Sequence, residues 1–146
     1  MVSTSGAQLL PADAVQKLKE WMLTRTTVLT PNVPEAQLLL SEAKLQQTEE
    51  VGSVADLEAM ARSVQTLGPQ WVLVKGGHVP FKRDLTIART EDEKKVVVDV
   101  LYGQGHCLRI QSDYYRSSST HGTGCSLACK LTCMNQPNSE ANSRES

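Results

Sequence analysis

Apolar residues recur along this chain with two periods, and each period predicts an element. From Pro11 to Arg25, Val15, Leu18 and Met22 fall at i, i+3 and i+7, which predicts a helix with Pro11 in its first turn. Val54, Leu57, Met60, Ala61, Val64 and Leu67 form a second stripe of helical spacing over about 54–67, opened by Ser53 with Asp56 three residues on and stopped by Gly68-Pro69. Between them, Pro34–Leu45 carries Leu38, Leu39 and Leu40. It is preceded by Asn32 at a cap position, with Glu35 three residues later. Two runs are too short for helices. Thr27-Val-Leu-Thr30 is short and β-branched, and Trp71-Val-Leu-Val74 is continuously apolar, as expected of a strand covered on both faces in a parallel sheet.

Two helix-then-strand units in succession predict an α/β sheet with crossover connections. Residues 1–5 read as the end of a further strand. Beyond Trp71–Val74 the texture changes. Residues 82–95 are charged and read as a solvated loop. Val96–Tyr102 and Cys107–Gln111 flank Gly103-Gln-Gly105 and predict a hairpin with a turn of about three to four residues. Ser117-Ser-Ser-Thr120 leads into a glycine-rich turn, with a helix beginning near Gly124. From Asn135 the chain is polar, so the expected organisation is one domain over 1–134 and a disordered tail over 135–146.

Composition narrows the classes of function. The 146 residues are 40% hydrophobic and 21% charged, enough to build a core in a single domain. Fifteen Lys and Arg against 16 Asp and Glu leave a net charge of −1, which argues against a nucleic-acid binder. No run approaches the ~18 apolar residues of a membrane span, and Met1–Gly6 has no signal-peptide character, so a cytoplasmic protein with reduced thiols is expected. Cys125, Cys129 and Cys133 recur every fourth residue, and with Cys107 they do not form the paired spacing of a zinc site. Small buried apolar side chains are the plainer reading of the every-fourth spacing and a metal site the less favoured one, with Cys125 a separate case because of what precedes it.

Three places have the residue types for chemistry. In Thr120-His-Gly-Thr-Gly-Cys-Ser126, two glycines before a helix let backbone N–H groups approach an anion, and the helix start would favour the thiolate of Cys125, a candidate proton acceptor. An ordinary glycine-rich turn with a buried cysteine needs the same residues. In Lys75-Gly76-Gly77-His78, the lysine lies at the carboxyl end of a predicted strand, where α/β sheets bind ligands. Its ammonium can neutralise a transferring phosphoryl group, though a solvent-facing lysine before a tight turn looks the same, and His78 reads as a surface residue. In Thr30-Pro-Asn-Val-Pro-Glu35, Asn32 and Glu35 occupy another strand-to-helix turn. Glu35 could hold water on Mg²⁺, or the pair could simply be a capping box. A cation, a carboxylate, an anion cradle and a base are what phosphoryl transfer requires.

Met1-Val-Ser-Thr-Ser-Gly6, Leu29-Thr-Pro-Asn-Val-Pro-Glu-Ala36, Val74-Lys-Gly-Gly-His78 and Thr120-His-Gly-Thr-Gly-Cys-Ser126 together resemble the hydroxymethylpyrimidine/phosphomethylpyrimidine kinases of thiamine biosynthesis, members of the ribokinase-like superfamily. The resemblance covers about residues 1–131. It implies a three-layer α/β fold, present as the C-terminal part of the sheet with its flanking helices and a β-hairpin. It further implies ATP-dependent phosphorylation of hydroxymethylpyrimidine and of its monophosphate. In that reading Gly122, Thr123 and Gly124 form the anion hole, Cys125 is the base and Lys75 contacts the phosphates. Asn32 belongs to the ATP site and Glu35 to the Mg²⁺ site, through water. ATP and Mg²⁺ are the cofactors and a small pyrimidine is the substrate, with no nucleic acid or membrane as partner. Either a second copy or a full-length kinase is an expected protein partner. A pyridoxal-type kinase shares the Gly-Thr-Gly-Cys element and stands as an alternative, as does a non-catalytic fragment.

The resemblance extends to the C-terminal half of the family's domain alone. The N-terminal strands that bind much of the pyrimidine in the family have no counterpart in it, so the pyrimidine-binding residues stay unassigned. A half sheet is expected to leave an unpaired strand edge and an uncovered apolar face, favouring self-association.

Overall fold

The computed structural model describes Lys17, residues 21–45 and residues 50–115. These form a four-stranded mixed sheet in the order β1-β2-β3-β4. The strands are β1 (Val28–Leu29), β2 (Trp71–Val74), β3 (Val96–Gly103) and β4 (His106–Asp113), and the helices are α1 (Val33–Glu42) and α2 (Val54–Gln65). β1 and β2 are parallel, whereas β2–β3 and β3–β4 are antiparallel. The α/β class is as expected. The parallel sheet around Trp71–Val74 is parallel on one side only, because the hairpin supplies its other neighbour.

Each helix starts where its cap chemistry dictates. Asn32 accepts from the Glu35 N–H at 2.8 Å, and the Glu35 carboxylate accepts from the Asn32 N–H at 3.1 Å. Ser53 accepts from the Asp56 N–H at 3.2 Å. Such caps satisfy amides that have no partner inside the helix. α2 ends before Gly68, whose φ of +129° no other residue adopts comfortably.

The core lies on one face of the sheet. Val96, Val98 and Val100 of β3 point to it, joined by Val72 and Val74 of β2 through the register Val72↔Tyr102 and Val74↔Val100. Against them pack Val33, Ala36, Leu39 and Leu40 of α1 and Val54, Leu57, Met60, Ala61 and Val64 of α2. Each fully buried Val or Leu contributes about 1.5–3 kcal/mol relative to exposure.

Several details depart from the sequence pattern. Lys17 and Trp21 are helical, but the chain then tightens into a 3₁₀ turn, Leu23–Arg25. About three residues per turn in place of 3.6 turns Leu23 inward and leaves Met22, the expected stripe residue, 58% exposed. The hairpin strands run longer than expected and the turn contains two residues, Gln104 and Gly105, at φ +49° and +78°. This mirror-image turn matches the twist of the strands. The segment 82–95 is not simply solvated. Phe81, fully buried, bridges Ile87 and Val96 and closes the segment at its neck, while Ala88 is also buried. The charges within it pair locally: Lys82 with Glu93 at 2.9 Å, and Lys94 with Glu91.

β4 is the terminal strand on one side, and all eight of its residues are exposed, including Leu108 at 57% and Ile110 at 43%. Among the described residues, no helix is long and apolar enough to cross a membrane. The expected strand at residues 1–5, the helix near Gly124, the boundary at 134 and the tail all lie outside the described residues.

Candidate active site at the carboxyl ends of the parallel strands

β1 and β2 deliver two of the predicted motifs to one place. The Trp71 N–H donates to the Thr27 carbonyl at 2.9 Å, and the parallel pairing continues until the Lys75 N–H donates to the Pro31 carbonyl at 2.9 Å. Asn32 and Lys75 are partners in a bridge just beyond the two strands. The lysine is therefore locked by its backbone beside the N-terminus of α1. The amides opening that helix carry partial positive charge. A lysine anchored next to a helix start brings two kinds of positive charge to one neighbourhood, a combination suited to phosphate oxygens.

Asn32 and Glu35 complete a capping box, the structural alternative that their residue types allowed. The box engages one Glu35 oxygen, Oε2, with the Asn32 N–H. Both residues are half-buried at the corner, as is Lys75. Among the described residues, no group of three His, Cys, Asp or Glu side chains gathers to hold a metal. A single carboxylate is what a Mg²⁺ held chiefly by phosphates and water would use, and Glu35 fits that mode.

After Lys75 the chain makes a 3₁₀ turn, Gly76–His78. Gly76 is buried and crowded: a Cβ there would fall 1.9 Å from the Val98 carbonyl oxygen. Gly77 is exposed, and a Cβ on it would meet nothing within 4 Å. His78 is exposed at the end of the turn, which agrees with its reading as a surface residue.

Asp99 was not among the sequence candidates. It lies in β3, half-buried, and its Oδ1 accepts the Gly76 N–H at 2.9 Å. Burial pushes its carboxyl above the ordinary range, opposed by the Gly76 amide and by the charge of Lys75. The available signal was a lone acidic residue in the otherwise apolar run Val96-Val-Val-Asp-Val-Leu-Tyr102. A carboxylate is costly to bury without a partner.

Gly122, Thr123, Gly124 and Cys125 lie outside the described residues, as do Cys129 and Cys133. Cys107 is described. It is an exposed thiol on β4 beside Glu58 and Arg109, raised by burial and then by the Glu58 charge.

Together these features define an α/β protein whose candidate ligand corner lies at the carboxyl ends of its parallel strands. The fold is ribokinase-like, the fold of vitamin kinases. The phosphomethylpyrimidine kinase family model matches residues 1–142, and the chain belongs to that family. It is 40% identical over 131 residues to the putative hydroxymethylpyrimidine/phosphomethylpyrimidine kinase 2 of Schizosaccharomyces pombe, covering 90% of this chain and 23% of the relative. It is 33% identical over 134 residues to the Bacillus subtilis hydroxymethylpyrimidine/phosphomethylpyrimidine kinase, covering 92% and 42%. Among solved structures, an ADP complex of Bacillus subtilis pyridoxal kinase superposes with a TM-score of 0.65 at 27% identity, covering 90% of this chain and 43% of that one. The phosphomethylpyrimidine kinase of Clostridium difficile gives 0.55 at 28%, covering 77% and 39%. The chain thus spans less than half the length of each of these proteins.

Proposed function

We propose that this chain carries the phosphate-handling part of an ATP-dependent kinase acting on hydroxymethylpyrimidine and then on its monophosphate. The observation that carries the reading is the bridge between Asn32 and Lys75, which holds the backbone of a lysine beside a capped helix start at the carboxyl ends of β1 and β2. The names of the relatives supply the pyrimidine. An ADP complex of a structural relative supports nucleotide binding.

In this reading the Lys75 ammonium offsets the negative charge of the transferring phosphoryl group, and Asn32 borders the nucleotide. Gly122, Thr123 and Gly124 supply amide donors to the phosphoryl oxygens. Cys125, as thiolate, accepts the proton of the substrate hydroxyl while that oxygen bonds to the γ-phosphorus and ADP departs. Glu35 would hold a water of a Mg²⁺ ion, which when bound shields the phosphate charge. Protein association, with a second copy or a full-length kinase, would cover exposed sheet surface such as β4.

The test is ADP release with hydroxymethylpyrimidine by the whole chain, compared with Lys75→Ala and Cys125→Ala. Each substitution is expected to lower turnover by about a hundredfold or more. No turnover above background in the unsubstituted chain would refute catalysis by it and favour the non-catalytic reading. A parallel assay with pyridoxal separates the two vitamin kinases, because the likeness to pyridoxal kinase makes pyridoxal the competing substrate.

A further inference from the structure

We propose that Asp99 is a positioning residue that fixes the backbone from which Lys75 projects. Its functional meaning rests on the kinase reading above; its structural claim does not.

Lys75 is held by the amides on both of its sides. Its own N–H donates to the Pro31 carbonyl at 2.9 Å, tying it to the end of β1. The next N–H, that of Gly76, donates to Asp99 Oδ1 at 2.9 Å, tying it to β3. The second tie is needed because the β2–β3 ladder stops at the pair Val74↔Val100. Continuing that register places Lys75 opposite Asp99 and Gly76 opposite Val98. The absence of a side chain on Gly76 lets the turn close onto the Val98 carbonyl, 1.9 Å from where a Cβ would stand. The Asp99 side chain then takes over from the ladder as acceptor.

Lys75 is the charged group acting on Asp99, and burial works against the carboxylate. An apolar residue at this strand position would avoid that cost but leave the Gly76 amide without an acceptor. With both flanking amides tied, the four-carbon stem of Lys75 starts from a fixed point. Only the side-chain torsions remain to be ordered when a phosphate arrives.

The experiment is amide NMR on the full 146-residue chain. Asp99→Ala should speed exchange of the Gly76 amide by about tenfold or more, the loss expected for a hydrogen bond to a charged group, while β3–β4 ladder amides keep their protection. Asp99→Asn, which still offers an oxygen, should restore slow exchange. The Gly76 amide shift should follow the titration of Asp99 in the unsubstituted chain and lose that response in Asp99→Asn, a comparison that stands even where Asp99→Ala does not fold. Unchanged Gly76 exchange in Asp99→Ala, exchange in Asp99→Asn as fast as in the alanine variant, or the same pH response with and without the carboxylate would overturn the proposal.

ATP titrations on the same samples separate the two claims. Asp99→Ala should weaken binding and Asp99→Asn recover it. An unsubstituted chain that binds no ATP refutes the kinase reading while the amide data still decide the role of Asp99. Slow Gly76 exchange restored by Asn without any change in ATP affinity across the series would reduce Asp99 to a structural tie and overturn its positioning role.

Discussion

Replacing Gly76 by alanine tests how tightly the lysine-bearing turn is fitted to the sheet. The new Cβ would stand 1.9 Å from the Val98 carbonyl oxygen, 3.0 Å from its carbonyl carbon and 3.4 Å from Leu57 Cδ1. The leucine methyl can move aside. The carbonyl cannot readily do so, because Val98 lies inside β3, which is paired with β4 along its whole length. Reaching even the 3.0 Å limit requires the turn to retreat by about 1.1 Å (3.0 minus 1.9). A retreat of that size opens the 2.9 Å hydrogen bond from the Gly76 N–H to Asp99 beyond bonding distance. Overpacking costs about 1–3 kcal/mol, and losing a hydrogen bond to a charged group about 1.5–3 kcal/mol. The expected loss is therefore about 2.5–6 kcal/mol, a large share of the ~5–15 kcal/mol typical of a domain. Gly77→Ala is the internal control. Its Cβ meets nothing within 4 Å, so its stability should stay within about 0.5 kcal/mol or rise slightly as the unfolded chain loses freedom. Urea unfolding followed by tryptophan emission and far-ultraviolet circular dichroism reads both. Equal midpoints for the two variants would refute the steric argument.

The capping role of Glu35 and its proposed Mg²⁺ role can be separated. Asn32→Ala should cost about 1 kcal/mol through loss of the cap. Glu35→Gln, which can still reach back to the Asn32 amide, should leave the urea midpoint nearly unchanged yet weaken the Mg²⁺ dependence of ATP binding by calorimetry; an intact Mg²⁺ dependence would leave Glu35 as a cap alone. At the hairpin, Gln104→Asn should raise stability by about 0.5 kcal/mol, since asparagine tolerates φ near +49° better, and Gly105→Ala should lower it by about 1 kcal/mol. Arg109 holds the Glu58 carboxyl below its ordinary range, mainly through their hydrogen bond. That contribution is present above the ordinary carboxylate range and lost as pH falls through the lowered value, so Arg109→Met should slightly flatten the acid limb of a stability–pH curve, solvent screening keeping the effect small for so exposed a pair. Asp99 has the opposite sign: its raised value gives a contribution that is full at low pH and fades as pH rises, a slope that Asp99→Asn should remove.

Local pattern was enough for most of the scaffold. Five residues of the predicted α2 stripe are buried and Leu67 packs against the core, and Trp71–Val74 is a strand over the predicted residues. The meeting of Asn32 with Lys75 was legible because each follows a strand, and parallel strands in one sheet present their carboxyl ends on the same side. What pattern missed depends on contacts distant in sequence. Phe81 is the only phenylalanine, followed by the polar run Lys82-Arg83-Asp84 and outside any sustained helical or strand periodicity that would mark it as core. Gly103 looked like part of the turn. It is a strand residue kept small because a Cβ would fall 2.4 Å from the Trp71 ring, which is why the loop is shorter than expected. Asp99 acquires its importance only when β3 lies beside the end of β2. The Gly122–Cys125 motif, the most specific part of the sequence reading, lies outside the described residues and rests on sequence and family membership alone.

The mixed sheet also implies an order of assembly. β3 and β4 are joined by two residues and need only a local closure, an event of about 1–10 microseconds for a hairpin. β1 can meet β2 only after the intervening chain, from Leu29 to Trp71, has collapsed with its two helices, and such long closures are slow. The bridge between Asn32 and Lys75 sits at the far end of that closure, extending a parallel pairing of two residues. The corner proposed to meet phosphate is thus expected to be among the last parts to form during refolding and among the first to open in the native protein, where a bound nucleotide would act as a clasp on the whole crossover.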